Sequence, residues 1–468
     1  MVNPLLELAE LQMSDLFARQ ALLPDGWHQN VTITPAKDGT FAKVTPDSAA
    51  PAGVEQVACV VPPMPNLHSH AFQRAMSGLG EKRANPDDTF WTWRKLMYQL
   101  AHRITPEQMH AISAYLYAEM LCAGYTQVAE FHYLHNAHDG AAYAQKATLS
   151  LCLANAAEEA GMGLTLLPTL YTYAGFGKKP LQDAQKRFAS TPELIADIVT
   201  ATQAATQDSK LVRVGVGLHS LRAVALDTVA DMLRIAGPHT PVHIHIAEQM
   251  QEVRDCIAAT GQRPAEHLLT HAPVDARWCL VHATHLTEAE TQALAKSGAI
   301  AGLCPITEAN LGDGIFPLAD YVSHNGRFGL GSDSNILLSP WEELRILEYS
   351  QRLHHQKRCV GLPSGHLGST GGWLYRESLK GGAQACGLPE WGLQAGARAD
   401  LCVLDTEAFL LPDLMGDDVL DAAIFSQTAP PVLHVMSAGQ WRVRDRQHHN
   451  ATALRQAFRQ AVRPLLSN

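Results

Sequence analysis

Hydrophobic and polar positions follow two different rhythms along this chain. Over the first 60 residues, short apolar runs are broken by turn residues, as in LPDGWHQNVTITPAKDGTFAKV. Asp25-Gly26 and Asp38-Gly39 fall between such runs, and Asp-Gly supplies the backbone that tight hairpins need. The pattern returns in Ala399–Leu404 and Pro431–Val443, so both chain ends are expected to build one small β-sandwich. Eight apolar runs mark the interior: Val57–Val61, Thr126–Phe131, Leu164–Leu170, Val212–Leu218, Val242–Ile246, Cys279–His282, Ala299–Leu303 and Phe328–Leu330. Amphipathic, capped stretches separate several of them. Thr287–Ser297 ends at Gly298, and Thr191–Thr206 carries Glu193 in its first turn. Strands alternating with helices predict βαβ units and a parallel sheet, and eight units predict an α/β fold of the (β/α)8 TIM-like barrel type. The expected organisation is 1–62 as the N-terminal part of the small β domain, 63–388 as the barrel, and 389–468 as its C-terminal part plus a C-terminal helix. Barrel active sites lie where strands end, so the polar residues just past each run matter most.

Composition narrows the function classes. The chain has 468 residues, 46% of them hydrophobic, which excludes a disordered or fibrous protein. No apolar run reaches 18 residues, so no spanning helix is expected. The start, MVNPLLELAELQMSDLF, is acidic where a signal peptide needs positive charge, which points to the cytoplasm. A net charge of −10 with no basic run argues against a nucleic-acid or anionic-membrane surface and leaves room for a local basic pocket. Nine scattered cysteines without a CxxC pair read as free, mostly buried thiols. The 23 histidines direct attention to their spacing. His354, His355, His448 and His449 read as surface residues.

Four fragments at run ends carry chemistry. His68-Ser69-His70 on an extended segment sends both imidazoles to one side, where they can share a metal; a polar turn is the alternative. In HIHIAE, His245 can join them, His243 reads as a satisfied core histidine, and Glu248 is either a proton-shuttling carboxylate or a helix N-terminal acid. In HATH, His282 sits at the strand terminus and His285 falls in the following loop. Asp333 in GSDS can complete a donor set, although alone it reads equally as a helix cap. Three histidines and one aspartate with a water suit Zn²⁺, and iron is the alternative.

HSH, HIAE, VHATH and GSDS, in this order, resemble the amidohydrolase superfamily, and within it the mononuclear deaminase branch, which lacks the bridging lysine of dinuclear members. The third and fourth runs end without a lysine, and Lys178 and Lys179 lie in a Gly/Pro loop. GARADLCVLD resembles that superfamily's return into its small β domain. HSHAFQRAM, FWTWR, AEFHY and HSLRAV further resemble the family of N-formimino-L-glutamate deiminases. The resemblance implies one Zn²⁺ held by His68, His70, His245 and Asp333, with Glu248, His282 and Asp333 as catalytic residues. It implies a substrate pocket of Gln73, Arg94, Tyr133 and Arg222, with His219 beside them, and a homodimer. The implied reaction takes N-formimino-L-glutamate and water to N-formyl-L-glutamate and ammonia. Two arginines suit two carboxylates, surface ion pairs being the alternative. The rival readings are a deaminase of a nucleobase or nucleoside-like compound on the same scaffold, and a catalytically dead barrel. The second goes with lost ligands, and here every site position is filled.

Overall fold

The computed structural model describes residues 15–82 and 90–466. The first fourteen residues, which carry most of the acidic start discussed above, lie outside them. Four strands come first: β1 (Leu16–Leu23), β2 (Gly26–Pro35), β3 (Phe41–Thr45) and β4 (Glu55–Val61). The β1–β2 hairpin closes at the Leu23–Gly26 pair around Pro24 and Asp25, and Asp38-Gly39 lies in the β2–β3 connection, as predicted.

The chain then builds the barrel from β5 (Met64–Ser69), β6 (Tyr125–His132), β7 (Gly163–Leu170), β8 (Val212–Val214), β9 (Val216–Ser220), β10 (Val242–Ile246), β11 (Trp278–His282), β12 (Ile300–Leu303) and β13 (Arg327–Leu330). Every pairing among these is parallel, and the β6–β7 and β13–β5 contacts close the ring. β8 and β9 both pair with β7 and are two pieces of one stave broken at Gly215, so the barrel has eight staves.

One predicted barrel strand belongs elsewhere. Val57–Val61 falls in β4, parallel to β1 and antiparallel to β14 (Leu401–Leu404) in the accessory sheet. Pro62-Pro63 then separates it from β5, the true first stave, which itself contains His68. The misreading has a physical origin. Cys59 and Val61 face the main core, while Val60 faces a second core inside the accessory unit. A strand covered on both faces reads as a continuous apolar run wherever it sits.

β15 (Val432–Ser437), β16 (Gln440–Arg444) and β17 (Gln447–His448) complete an eight-stranded mixed sheet in the order β17-β16-β15-β14-β4-β1-β2-β3. Alternation explains how both chain ends share it. Leu401, Val403 and Met436 join Leu16, Val31, Ile33 and Val60 in the second core, while Cys402, Leu404 and Val435 face the barrel. His448 is buried here, not on the surface. Its Nε2 bonds the Ala160 carbonyl at 2.9 Å, one of the carbonyls that the end of helix Thr148–Ala160 leaves without an intrahelical partner. His354, His355 and His449 are exposed. All nine cysteines are free and six are buried. Among the described residues, no helix is long and apolar enough to cross a membrane.

The capped helices form as the sequence signals them. Thr287 caps Glu288–Ser297 reciprocally with Glu290, and Gly298 ends it at φ +77°. Thr191 caps Pro192–Ala205 through the Leu194 N–H. The helix Thr370–Ala385 seals the β13–β5 seam, which has a single register pair, Leu330–Asn66. A Cβ on Gly381 would lie 1.8 Å from the Phe328 carbonyl oxygen, so only glycine permits this approach. Gly381→Ala should therefore destabilise the fold by about 3 kcal/mol. Leu367→Ala, at a residue 94% exposed, should stay within about 0.5 kcal/mol. Urea denaturation of both variants measures the contrast.

Candidate active site

Closing the barrel gathers the ends of β5, β10, β11 and β13 at its mouth. His68 lies in β5 and His70 just beyond it, and their Nε2 atoms are 3.2 Å apart. His245 in β10 brings its Nε2 to 3.1 Å from that of His68. Asp333 Oδ1, three residues past β13, lies 3.4 Å from His68 Nε2 and 3.3 Å from His70 Nε2. His70 Nδ1 donates to the Phe131 carbonyl at 3.0 Å and His245 Nδ1 to the His219 carbonyl at 2.9 Å. Both rings therefore aim an Nε2 lone pair at the common point. Only the His68 proton is left to bridge these acceptors, whereas ligands about 2.0–2.2 Å from one ion stand roughly 3.0–3.5 Å apart, the spacing found here. The four residues fit a metal ion on this ground. His282 belongs to the same cluster: one donor atom each from His68, His245, His282 and Asp333 lie within 4.8 Å of one another.

Burial tunes these groups. It pushes His68 down to about 3 and lowers His70 and His245 as well, which keeps the imidazoles neutral and available as ligands. Burial works to raise Asp333, but the hydrogen bond from His68 and the surrounding imidazoles hold it below the usual carboxylate range. His282 runs the other way. Burial disfavours its charge, yet the Glu248, Glu308 and Asp333 carboxylates raise it to about 10. Its Nδ1 is 3.2 Å from Glu308 Oε1, and its Nε2 lies 3.8 Å from Glu248 Oε1 and 3.9 Å from Asp333 Oδ2. Burial raises Glu248 itself.

The backbone is strained where these side chains leave the strands. His282 has φ +68° and Asp333 φ +46°, conformations that cost a non-glycine residue about 1–3 kcal/mol. The seam holds Asp333 in place: its N–H donates to the His68 carbonyl at 2.9 Å and its carbonyl accepts the His70 N–H at 3.0 Å.

A cavity opens over the cluster. Gln73, Arg94, Tyr133, His219 and Arg222 all line it, together with His70, His245, Glu248, His282 and Asp333. Gln73 Nε2 donates to the Tyr133 hydroxyl at 3.3 Å. Arg222 is buried with its Nε 3.9 Å from Glu252 Oε2, and half-buried Arg94 donates to the Tyr171 hydroxyl at 2.9 Å. A groove of about 1130 Å³ elsewhere, beside Tyr115, Leu337 and Arg455, contains none of these residues, so size alone does not locate the chemistry.

The remaining histidines separate as the sequence suggests. His243 is buried with its Nε2 on the Ala385 carbonyl at 2.8 Å, and His285 lies in the loop, bonded to the Asp313 carbonyl at 2.8 Å. Lys178 forms an exposed pair with Asp227. Sequence reasoning missed Tyr171, Trp93, Glu252 and Glu308. Tyr171 is the first residue after the third predicted run, a position inspected only for lysine. Glu308 lies five residues past the seventh.

The chain matches the model of the Amidohydrolase family over residues 59–442. It matches that of the Formimidoylglutamate deiminase HutF, N-terminal domain, over residues 13–58. It is similar to the Formimidoylglutamate deiminase of Pseudomonas aeruginosa, 49% identical over 454 residues, 97% of this chain and 100% of that one. Among solved structures, an amidohydrolase from Brucella melitensis is 46% identical with a TM-score of 0.93, covering 97% of this chain and 100% of that one. An adenosine deaminase from Xanthomonas campestris with bound zinc shares the fold at 21% identity and a TM-score of 0.78, over 96% and 98% of the two chains.

Two measurements test this site. His70→Ala and Asp333→Asn should each weaken Zn²⁺ binding by more than about 100-fold in equilibrium dialysis, beyond the loss typical of an outer partner. His285→Ala should leave it unchanged. Behind the cluster, Glu130 Oε1 accepts the Ala71 N–H at 2.6 Å, and burial lifts this carboxyl from 4.5 to about 8. The folded chain thus keeps a proton that the unfolded chain releases. Stability should fall as pH rises from about 4.5 to about 8, and Glu130→Gln should flatten that slope in urea melts.

Proposed function

Because this chain belongs to the amidohydrolase family, we propose that it hydrolyses the formimino carbon–nitrogen bond of N-formimino-L-glutamate, releasing ammonia and N-formyl-L-glutamate. The observation that carries this reading is the presence of Arg94 and Arg222 in one pocket beside the His/Asp cluster. A chain of net charge −10 concentrates two guanidiniums over a reaction centre, as a small substrate with two carboxylates requires. A flat, uncharged nucleobase needs neither. The full-length similarity to a protein named Formimidoylglutamate deiminase supports the same reading.

One Zn²⁺, or iron in its place, held by His68, His70, His245 and Asp333 would supply Lewis-acid polarisation of the attacking water. Arg94 and Arg222 bind the two carboxylates, and Gln73, Tyr133 and His219 orient the chain between them. Asp333 and His282 orient the water toward the formimino carbon. Glu248 accepts a proton from that water and delivers it to the imino nitrogen; the second proton of the water follows to the same nitrogen as the formyl carbonyl forms, and the carbon–nitrogen bond breaks with release of ammonia. Its burial-raised affinity for a proton suits both halves of this transfer. His282, charged and fixed by Glu308, directs a ring N–H toward the oxygen that gains charge.

Glu248→Gln should keep its metal and lose on the order of 10³-fold in kcat; near-normal turnover removes Glu248 from this role. For the substrate, ammonia release is measured with N-formimino-L-glutamate beside guanine, cytosine and adenosine. Release from the formimino compound alone is expected. Release only from a ring compound overturns the dicarboxylate reading and leaves the barrel and cluster standing.

A further inference from the structure

We propose that Tyr171 and Gln185 are positioning residues that hold Arg94 ready for a substrate carboxylate; this rests on the reading above. An arginine side chain is long and flexible, and it selects one carboxylate geometry only if its fork is immobilised beforehand. Here three elements do this. Arg94 lies on the helix Phe90–Arg103, one turn before Tyr98, and its guanidinium carbon sits 5.1 Å over the Tyr98 ring. Tyr171, fully buried just past β7, accepts from Arg94 Nη2 at 2.9 Å. Gln185, buried on the short turn Asp183–Phe188, donates from Nε2 to the Tyr171 hydroxyl at 2.8 Å and to the Tyr98 hydroxyl at 3.3 Å. The two tyrosine hydroxyls also interact with each other. The Tyr171 oxygen thus accepts from both Arg94 and Gln185.

The same turn anchors the helix a second time. Arg187 is fully buried and donates to the carbonyls of Ala101 and Ile104 at the helix end, and to that of Asn136 after β6. Those helix-end carbonyls have no intrahelical partner. The turn Asp183–Phe188 therefore fixes both the direction of the helix and the plane of the guanidinium it carries. Tyr171 also packs on His219, their rings 4.5 Å apart, so one side chain sets two walls of the pocket.

The test uses the zinc-loaded full chain with Tyr171→Phe, Gln185→Leu, Arg94→Met and the double variants. Binding of N-formyl-L-glutamate and of glutarate is read by calorimetry, beside KM and kcat. Tyr171→Phe should weaken N-formyl-L-glutamate about tenfold and raise KM to match, with kcat within about twofold. In the Arg94→Met background the same change should cost less than about twofold. Gln185→Leu, which leaves the tyrosine ring in place, should show the same non-additivity on a smaller scale. Equal losses in both backgrounds, or no loss at all, overturn the proposal, because a merely structural residue acts independently of Arg94. If N-formimino-L-glutamate is not turned over but glutarate binding still depends on Tyr171 through Arg94, the functional reading fails and the positioning role stands.

Discussion

Three imidazole nitrogens and a carboxylate oxygen face one another across 3.1–3.4 Å in the dry interior of a barrel. His70 and His245 have already spent their ring protons on backbone carbonyls, so the protein alone has only the His68 proton to place among these four atoms. A cation resolves the conflict, and much of the architecture can be understood as what it takes to hold four such donors in place without one. The donors come from the ends of β5, β10 and β13, which meet across the mouth only once the barrel has closed. Closure depends on a seam of one register pair, reinforced by the helix that carries Gly381 and by the hydrogen bonds linking His68, His70 and Asp333.

Charge is layered outward from this point. The imidazoles nearest it are neutral because they are buried. His282 next to them is positive because three carboxylates surround it. Glu248 lies beside that positive ring, lines the same cavity and has a raised proton affinity. Arg94 and Arg222 form the outer wall. An acidic chain thus places two guanidiniums together at its pocket.

Local signals were legible wherever one stretch of chain decides the outcome. The Thr287 and Thr191 caps, the Asp-Gly hairpins, the inward HxH and the bonded core histidine His243 all appear in the structure in the form their neighbours in sequence suggested. The errors share one cause. Val57–Val61 and His448 were assigned from their own residues, and each is decided by a partner remote in sequence: β1 and β14 for the first, Ala160 for the second. Tyr171, Gln185, Glu252 and Glu308 were missed for the same reason, because what matters about each is what it touches.

The sequence by itself determined the alternation of strands and helices, the donor types and the order in which they occur, since period, caps and residue chemistry are properties of short segments. Only the tertiary structure decided which run is a stave and which belongs to the accessory sheet, and that two arginines 128 positions apart share one pocket. It also decided the charge of the histidines at the barrel mouth. Burial and the charge of neighbours set these things, and both exist only after the barrel has closed.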